Sequence, residues 1–461
     1  MAPMRVLVVS SLVASLLIFP LWSQTQPLQS QTGDEFRVYT DHPRLILTSQ
    51  RLRLLKRERE RESQRWRQFD LLVKGSANFP EPGFASALHY AISGDVPAGK
   101  RAVEWALKSS EDLRQLSLVY DWCQPILSPE QSAALTAKIH RIMLKPEGDG
   151  IAAHRDRILA LIATADDSRH SEEMPLKTQV RDWWRKDLAP ALADGRSVLP
   201  LPDVYGLLEI LHAVRDNLNI DLRKDAPDYF AHLPTYLIAG NYPAPYRAPE
   251  NEFRVPVYQD LGHTDGQPDL KRAALARAAG LSMVAYDTNG LENQFLQGWL
   301  IQDRFLMMTP FGAPYEFLWA NPYQPGLSFY QLPLLFHEQD SGALFLRSAW
   351  DEDADWFGLY EGEAELFHDG RIAVLKRGTT ASSTPTPLHV GDSSVVFGNP
   401  PFQFSMEGGT VVLIGLKPRH KYFIETDDEE MREVSTDRVG TLVLQYPAGR
   451  VAGVRIHEDA T

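Results

Sequence analysis

The fold turns on the stretch Gly342-Ala343-Leu344-Phe345-Leu346-Arg347-Ser348-Ala349-Trp350. Downstream of Phe336 the chain reads as short strands, over 343–350, 356–361, 371–376, 393–397, 410–416, 422–426, 440–446 and 451–456. Turn signals separate them, including Gly408-Gly409 and Pro447-Ala448-Gly449. Regularly spaced short strands predict a β-sandwich.

Upstream of that stretch the pattern is helical. Ser49 caps a helix with apolar positions at Leu52, Leu55, Trp66, Phe69 and Leu72. Helical segments follow at 83–93, 97–110, 112–122, 129–144, 150–165, 176–192, 203–218, 227–238, 268–286 and 291–302. Pro97 suits a first turn and Ser128 an N-cap. Short connections between so many helices predict pairs stacked around an axis. No fixed-length repeat supports a solenoid. The run Lys56 to Glu62 mixes signs and reads as a solvated helix face. Helices followed by strands, without βαβ alternation, predict an α+β multidomain chain. Its parts are paired helices over 36–310, in a bundle or an (α/α) toroid, then a linker over 311–336 and a small antiparallel β-sandwich over 337–461.

The chain has 461 residues, with 47 Lys+Arg against 60 Asp+Glu and a net charge of −13. That balance argues against broad nucleic-acid binding, which needs a basic footprint. It leaves an anionic substrate open, because one cleft can be basic on an acidic protein. A single cysteine, Cys123, rules out an internal disulfide and a Cys-rich zinc site. At the N-terminus, Arg5 precedes an apolar stretch from Val6 to Phe19 that ends at Pro20. At about 14 residues it is short for a membrane span. Residues 1–23 therefore read as an export signal and 24–35 as a flexible leader, placing the mature chain in the periplasm or outside the cell. An uncleaved anchor is the alternative.

Several motifs of common enzymes are missing: a G-x-S-x-G elbow, an H-E-x-x-H zinc helix and a Walker loop. Gly148, Gly150 and Ala153 match G-x-G-x-x-A, but a helix precedes them where a dinucleotide site needs a strand. Other segments carry a resemblance. His42-Pro43-Arg44-Leu45-Ile46-Leu47-Thr48, Leu116 to Trp122, Trp183-Trp184 through Leu192, and Gly342 to Trp350 occur in the order found in heparinase II/III-type polysaccharide lyases. The resemblance spans most of 36–378 and implies a helical toroid followed by a β-sandwich. It also implies cleavage of a uronic-acid polysaccharide by β-elimination. That chemistry needs a group to neutralise the uronate carboxylate, a base for the C5 proton and an acid for the departing O4.

By position, the resemblance implies catalytic roles for His154, Tyr205 and His368. His154 opens a helix where the family places a polar pair, but Ala153 replaces its partner, leaving Arg155 or Arg157 to neutralise the carboxylate. Tyr205 shares a helical stripe with Leu208 and Leu211, so core packing is its alternative. His368-Asp369-Gly370 also reads as a plain turn between strands. His263 lies on a polar loop, and Tyr242, Tyr246 and Asn251 belong to an aromatic stretch suited to a sugar subsite. The reaction requires no cofactor; relatives that hold a structural divalent metal direct attention to His368, Asp369 and His389. The expected partner is an anionic polysaccharide or oligosaccharide. A glycan-binding relative without catalysis and a glycoside hydrolase using Asp260 and Asp265 are the competing readings.

Overall fold

The computed structural model describes residues 36–108, 110–145, 148–166, 171–195, 199, 201–245, 254, 270–302, 307–360, 363–375, 385–427, 431–447, 449 and 452–458. The expected signal and leader lie outside these residues.

Helices come first. They are α1 (Ser49–Glu60), α2 (Gln64–Lys74), α3 (Pro82–Ser93), α4 (Val96–Leu107), α5 (Leu113–Trp122), α6 (Pro129–Met143) and α7 (Ile151–Ala163). Then follow α8 (Glu173–Lys177), a π-helical stretch (Thr178–Leu188), α9 (Ala189–Ala193), α10 (Leu201–Leu218), α11 (Pro227–Ala239), α12 (Leu270–Tyr286), α13 (Leu291–Gln302) and α14 (Gly312–Trp319). Helix starts obey local chemistry. Thr48, Ser63, Asp112 and Ser128 accept from first-turn N–H groups that have no partner inside the helix. Ser128 and Gln131 cap each other reciprocally.

The inner helices α3, α5, α7, α10, α12 and α14 pack in that order, and α14 returns to α2 and α3 to close the ring. Helices α4, α6, α11 and α13 pack on its outside. This is the paired-helix ring that the periodicity predicts. Segment 42–45 ties one end together. Asp121, near the C-terminus of α5, accepts from the Arg44 and Leu45 N–H groups at 2.9 and 2.8 Å. The Arg44 side chain donates to the Ala165 carbonyl beyond α7 at 2.8 Å, and Asn217 of α10 donates to the Arg44 carbonyl at 3.0 Å. The C-termini of α5, α7 and α10 thus share one end of the ring. Their N-termini share the other.

Two sequence expectations change in detail. The segment 311–336 is more than a linker, because α14 lies within it and all eight of its residues are buried. Its Gly and Pro mask an otherwise apolar run, and its one charge, Glu316, is held by Arg277 at 2.7 Å and Arg65 at 3.1 Å. The helix expected over 176–192 widens into the π-helical stretch for eleven residues.

The β portion holds β1 (Leu335–His337), β2 (Leu344–Arg347), β3 (Trp356–Tyr360), β4 (Glu363–His368), β5 (Arg371–Leu375), β6 (Leu388–Val390), β7 (Ser393–Phe397), β8 (Phe402–Met406), β9 (Gly409–Ile414), β10 (Lys421–Thr426), β11 (Arg432–Ser435), β12 (Leu442–Tyr446) and β13 (Ala452–Glu458). They form sheets β1-β2-β3-β4-β5, β12-β9-β7-β6 and β11-β10-β13-β8. Pairing is antiparallel except for β7 with β9, which run parallel because β8 crosses between sheets.

Alternation of side chains stacks these layers. On β2, Leu344 and Leu346 join Val395, Val412 and Ile414 in one core, while Phe345 between them joins Trp356, Phe367 and Tyr242 in another. On β9, Val411 and Leu413 turn the opposite way, toward Phe404, Tyr422 and Ile456. The β12-β9-β7-β6 sheet is therefore the middle layer. The Phe345 face docks onto the C-terminal end of α11, where Trp356 Nε1 donates to the Ala239 carbonyl at 2.9 Å.

Candidate active site

Where the inner helices begin, four of them and the N-cap residue of α3 point polar side chains at one another. Arg114 stands on the first turn of α5, Arg155 and Asp156 on α7, Tyr205 and Glu209 on α10, and Tyr315 on α14. Glu81 caps the entry to α3. Glu209 is the hub. Arg114 grips its carboxylate with Nε at 2.9 Å and Nη2 at 2.7 Å, a forked geometry that fixes both partners. Tyr205, one helical turn earlier, donates to Glu209 Oε1 at 2.9 Å and accepts from Trp319 Nε1 at 3.0 Å. Arg155 Nη1 reaches the other oxygen at 3.5 Å. Arg114 also touches Glu81 at 3.3 Å, and Tyr315 donates to the same Glu81.

Burial sets the protonation states. It is the largest single influence on the Arg114 charge and opposes it, but Glu209, Tyr315, Glu81 and Tyr205 together hold the guanidinium well above its usual range. Burial, then Glu209, pushes the Tyr205 phenol well up, so this hydroxyl keeps its proton. Asp156 binds Arg155 Nε at 2.7 Å, yet burial dominates and raises its carboxyl to about 6. A group that titrates near neutrality beside two arginines is a mark of a functional site.

His154 is buried on the adjoining face of α7. Its Nδ1 lies 2.6 Å from Gln179 Oε1, an oxygen that only accepts, so Nδ1 carries the hydrogen and Nε2 the lone pair in neutral imidazole. Nε2 has no hydrogen-bond partner and sits 3.5 Å from Asp149. The ring stacks on Trp183, with centroids 3.8 Å apart, so the π-helical stretch holds the histidine flat.

The structure joins Tyr205 and Arg155 through Glu209, with His154 on the next residue of α7. Arg157 is half-buried on the same helix. It does not bring His368 to them. His368 ends β4, its side chain is 61 % exposed, and it meets Asp355 at 2.6 Å and Asp369 at 3.5 Å. The hydrogen bond to Asp355 raises its pKa. Asp369 and Gly370 both take positive φ, which is the turn alternative in the sequence. His389 lies on β6 beside Ser394, and among the described residues no three metal-ligating side chains converge. Tyr242 is no open sugar platform: it is 1 % exposed, stacks on Phe367 and donates to Glu365 at 2.6 Å. Tyr246, Asn251 and His263 lie outside the described residues.

Sequence reasoning missed Arg114, Glu209, Glu81, Asp156 and Tyr315. Only Glu209 left a trace, at helical spacing four residues after Tyr205. The Arg114–Glu209 pair joins positions 95 apart, and no local pattern announces it.

Neither a protein-family model nor a curated protein sequence matches this chain. Among solved structures it is similar to the heparan sulfate lyase HepC from Pedobacter heparinus, with a TM-score of 0.39 and 12 % identity over 82 % of this chain and 75 % of that one. A likeness at that level says nothing of activity. Among the described residues no helix is long and apolar enough to cross a membrane.

Proposed function

We propose that this protein is an exported polysaccharide lyase that cleaves a uronic-acid polymer by β-elimination at the mouth of the helical ring. The observation that supports it most is the convergence of Arg114, Arg155 and Tyr205 on Glu209, with His154 adjoining Arg155 in the chain. Removing the C5 proton of a uronate builds charge on an existing carboxylate, so a nearby cation lowers the barrier. Arg155, partly exposed and only 3.5 Å from Glu209, takes that role in place of the polar partner missing at Ala153. His154 Nε2, buried and without a hydrogen-bond partner among the described residues, is assigned as the base for the C5 proton. Tyr205 keeps its proton and is the acid for O4 in this reading; it is 1 % exposed, with its hydroxyl held by Glu209 and Trp319, so the substrate reaches it only if the mouth rearranges. The C4–O4 bond breaks as the C4–C5 double bond forms, so atoms and electrons balance without a cofactor. We assign no reaction role to His368, which the hairpin accounts for.

The test is ultraviolet absorbance of the new double bond with heparan sulfate, hyaluronan, alginate and plant uronans. A rise with wild type that vanishes in Tyr205→Phe and His154→Ala, both still folded, is expected. Saturable binding of a polymer without any rise would instead mark a glycan-binding relative, the reading that Ala153 and the burial of Tyr205 favour.

A further inference from the structure

The other end of the ring holds a cleft of about 910 Å³, near the upper size of small-ligand sites. Its walls are the first two turns of α1, the C-terminal ends of α10 and α12, Trp319 and the segment 321–327. Four arginines line it, Arg51, Arg53, Arg57 and Arg215, against one carboxylate, Asp216. The lining histidine adds no charge. Burial first, then Arg215, keeps His212 far below its usual pKa, and its Nε2 lies 3.1 Å from the Ser282 carbonyl.

Among the described residues only Arg215 of the four has its counter-ion, with Nε 2.8 Å from Asp216. Arg51 donates to the Trp319 carbonyl at 3.2 Å and lies over the indole, and Arg57 lies over Tyr323. Among the described residues none of Arg51, Arg53 and Arg57 has a carboxylate at ion-pair distance. On a chain of net charge −13 that is a local inversion of sign. Burial pulls Arg51 down to about 10 although the charge of Asp216 opposes it, and a guanidinium removed from water without a paired anion is costly. An anion supplied by a ligand relieves that cost.

The remaining surface is suited to hydroxyl groups. Asn289, Gln294, Asn321 and Gln324 line the cleft with amides, and Tyr323 presents an exposed ring. The wall is rigid. Leu327 N–H donates to the Gln294 carbonyl at 2.8 Å and Gln324 to the Thr288 carbonyl at 2.9 Å. Gly326 lies so close to Gly298 that a Cβ there would sit 2.2 Å from its nitrogen. We infer that this cleft is a second, non-catalytic binding site for an anionic oligosaccharide, with Arg53 and Arg57 gripping its acidic groups and the amide wall its hydroxyls. The choice of a sugar over other anions rests on the lyase reading; the positive cleft does not.

Titration calorimetry decides this with hexasaccharides of heparan sulfate, hyaluronan and alginate, their carboxyl-reduced, desulfated neutral counterparts, and inorganic sulfate. Wild type, Arg53→Gln/Arg57→Gln and Arg155→Gln are compared at low and high salt. The expected result is at least about tenfold weaker binding of a charged hexasaccharide by the double variant, with a shallower salt dependence and an unchanged unfolding midpoint. Arg155→Gln should keep binding at this cleft. Equal binding by the double variant, equal binding of the neutral hexasaccharide, or displacement by sulfate at the same concentration would each overturn the proposal. Weakened binding in the double variant without any elimination by wild type would sustain the cleft and remove the lyase. Elimination with binding unchanged would do the reverse.

Discussion

The two ends of the helical ring are both rich in arginine, and they use it in opposite ways. At the mouth, Arg114 and Arg155 are matched by Glu209, Glu81 and Asp156. At the far end, Arg51, Arg53 and Arg57 face a cleft where none of them has a carboxylate at ion-pair distance among the described residues. A matched cluster in a dry site fixes geometry, because each partner is expensive to leave alone. An unmatched cluster on a wet cleft wall leaves its charge available to something that arrives. The comparison separates positioning from recognition within one fold.

The strongest way to break the contrast is to remove the hub. Glu209→Ala leaves the buried Arg114 guanidinium without its main partner and should cost about 3–5 kcal/mol in denaturant unfolding. A loss below about 1 kcal/mol would show that the mouth is not held by this pair. Next in size is the acid at the mouth. The Asp156 carboxyl titrates at about 6 in the fold and at 3.8 without it, so the folded chain holds this proton more tightly. Its contribution is fully present below pH 3.8 and is lost as pH rises through 6. Asp156→Asn should remove a falling stability slope between those values, worth about 1–3 kcal/mol at pH 7. Wild type and variant with parallel stability curves across that window would contradict it.

The far end should respond differently. Arg53→Gln/Arg57→Gln should alter unfolding by less than about 0.5 kcal/mol, since neither side chain has an ion pair to lose. A large destabilisation would mean that these arginines belong to the scaffold. Smallest of all is His368→Ala, expected to leave both the unfolding midpoint and any elimination rate unchanged. A drop in rate with the fold intact would return the hairpin to the reaction.

What the sequence displayed follows from the range of the forces involved. Helices and caps are local, so α5, α6 and α13 fall where periodicity and Ser128 or Asp112 place them. Strands depend on partners. β4 carries Glu365 inward and so breaks the alternation of a half-buried strand, whereas β8 alternates apolar and polar residues and was legible but not read. Helix α14 was hidden by its Gly and Pro, although its apolar run closes the ring. For the site, Tyr205 and His154 were legible through resemblance, whereas Arg114 and Glu209 meet only once α5 and α10 are packed across α7. The basic cleft was less legible still. Of its arginines only Arg57 lies in the mixed-charge run that reads as a solvated face, and only the C-terminal ends of α10 and α12 turn that side of α1 into a wall.

The central claim is that the mouth of the ring performs elimination on a uronate polymer. Its most direct test is ultraviolet absorbance of the C4–C5 double bond, followed with wild type, His154→Ala and Arg53→Gln/Arg57→Gln on the same polymer. The account predicts a rise for wild type and for the double variant at saturating polymer, and a rate lower by about 10²–10⁴ for His154→Ala. Elimination that survives in His154→Ala but disappears in the double variant would contradict it and move the chemistry to the other end of the ring.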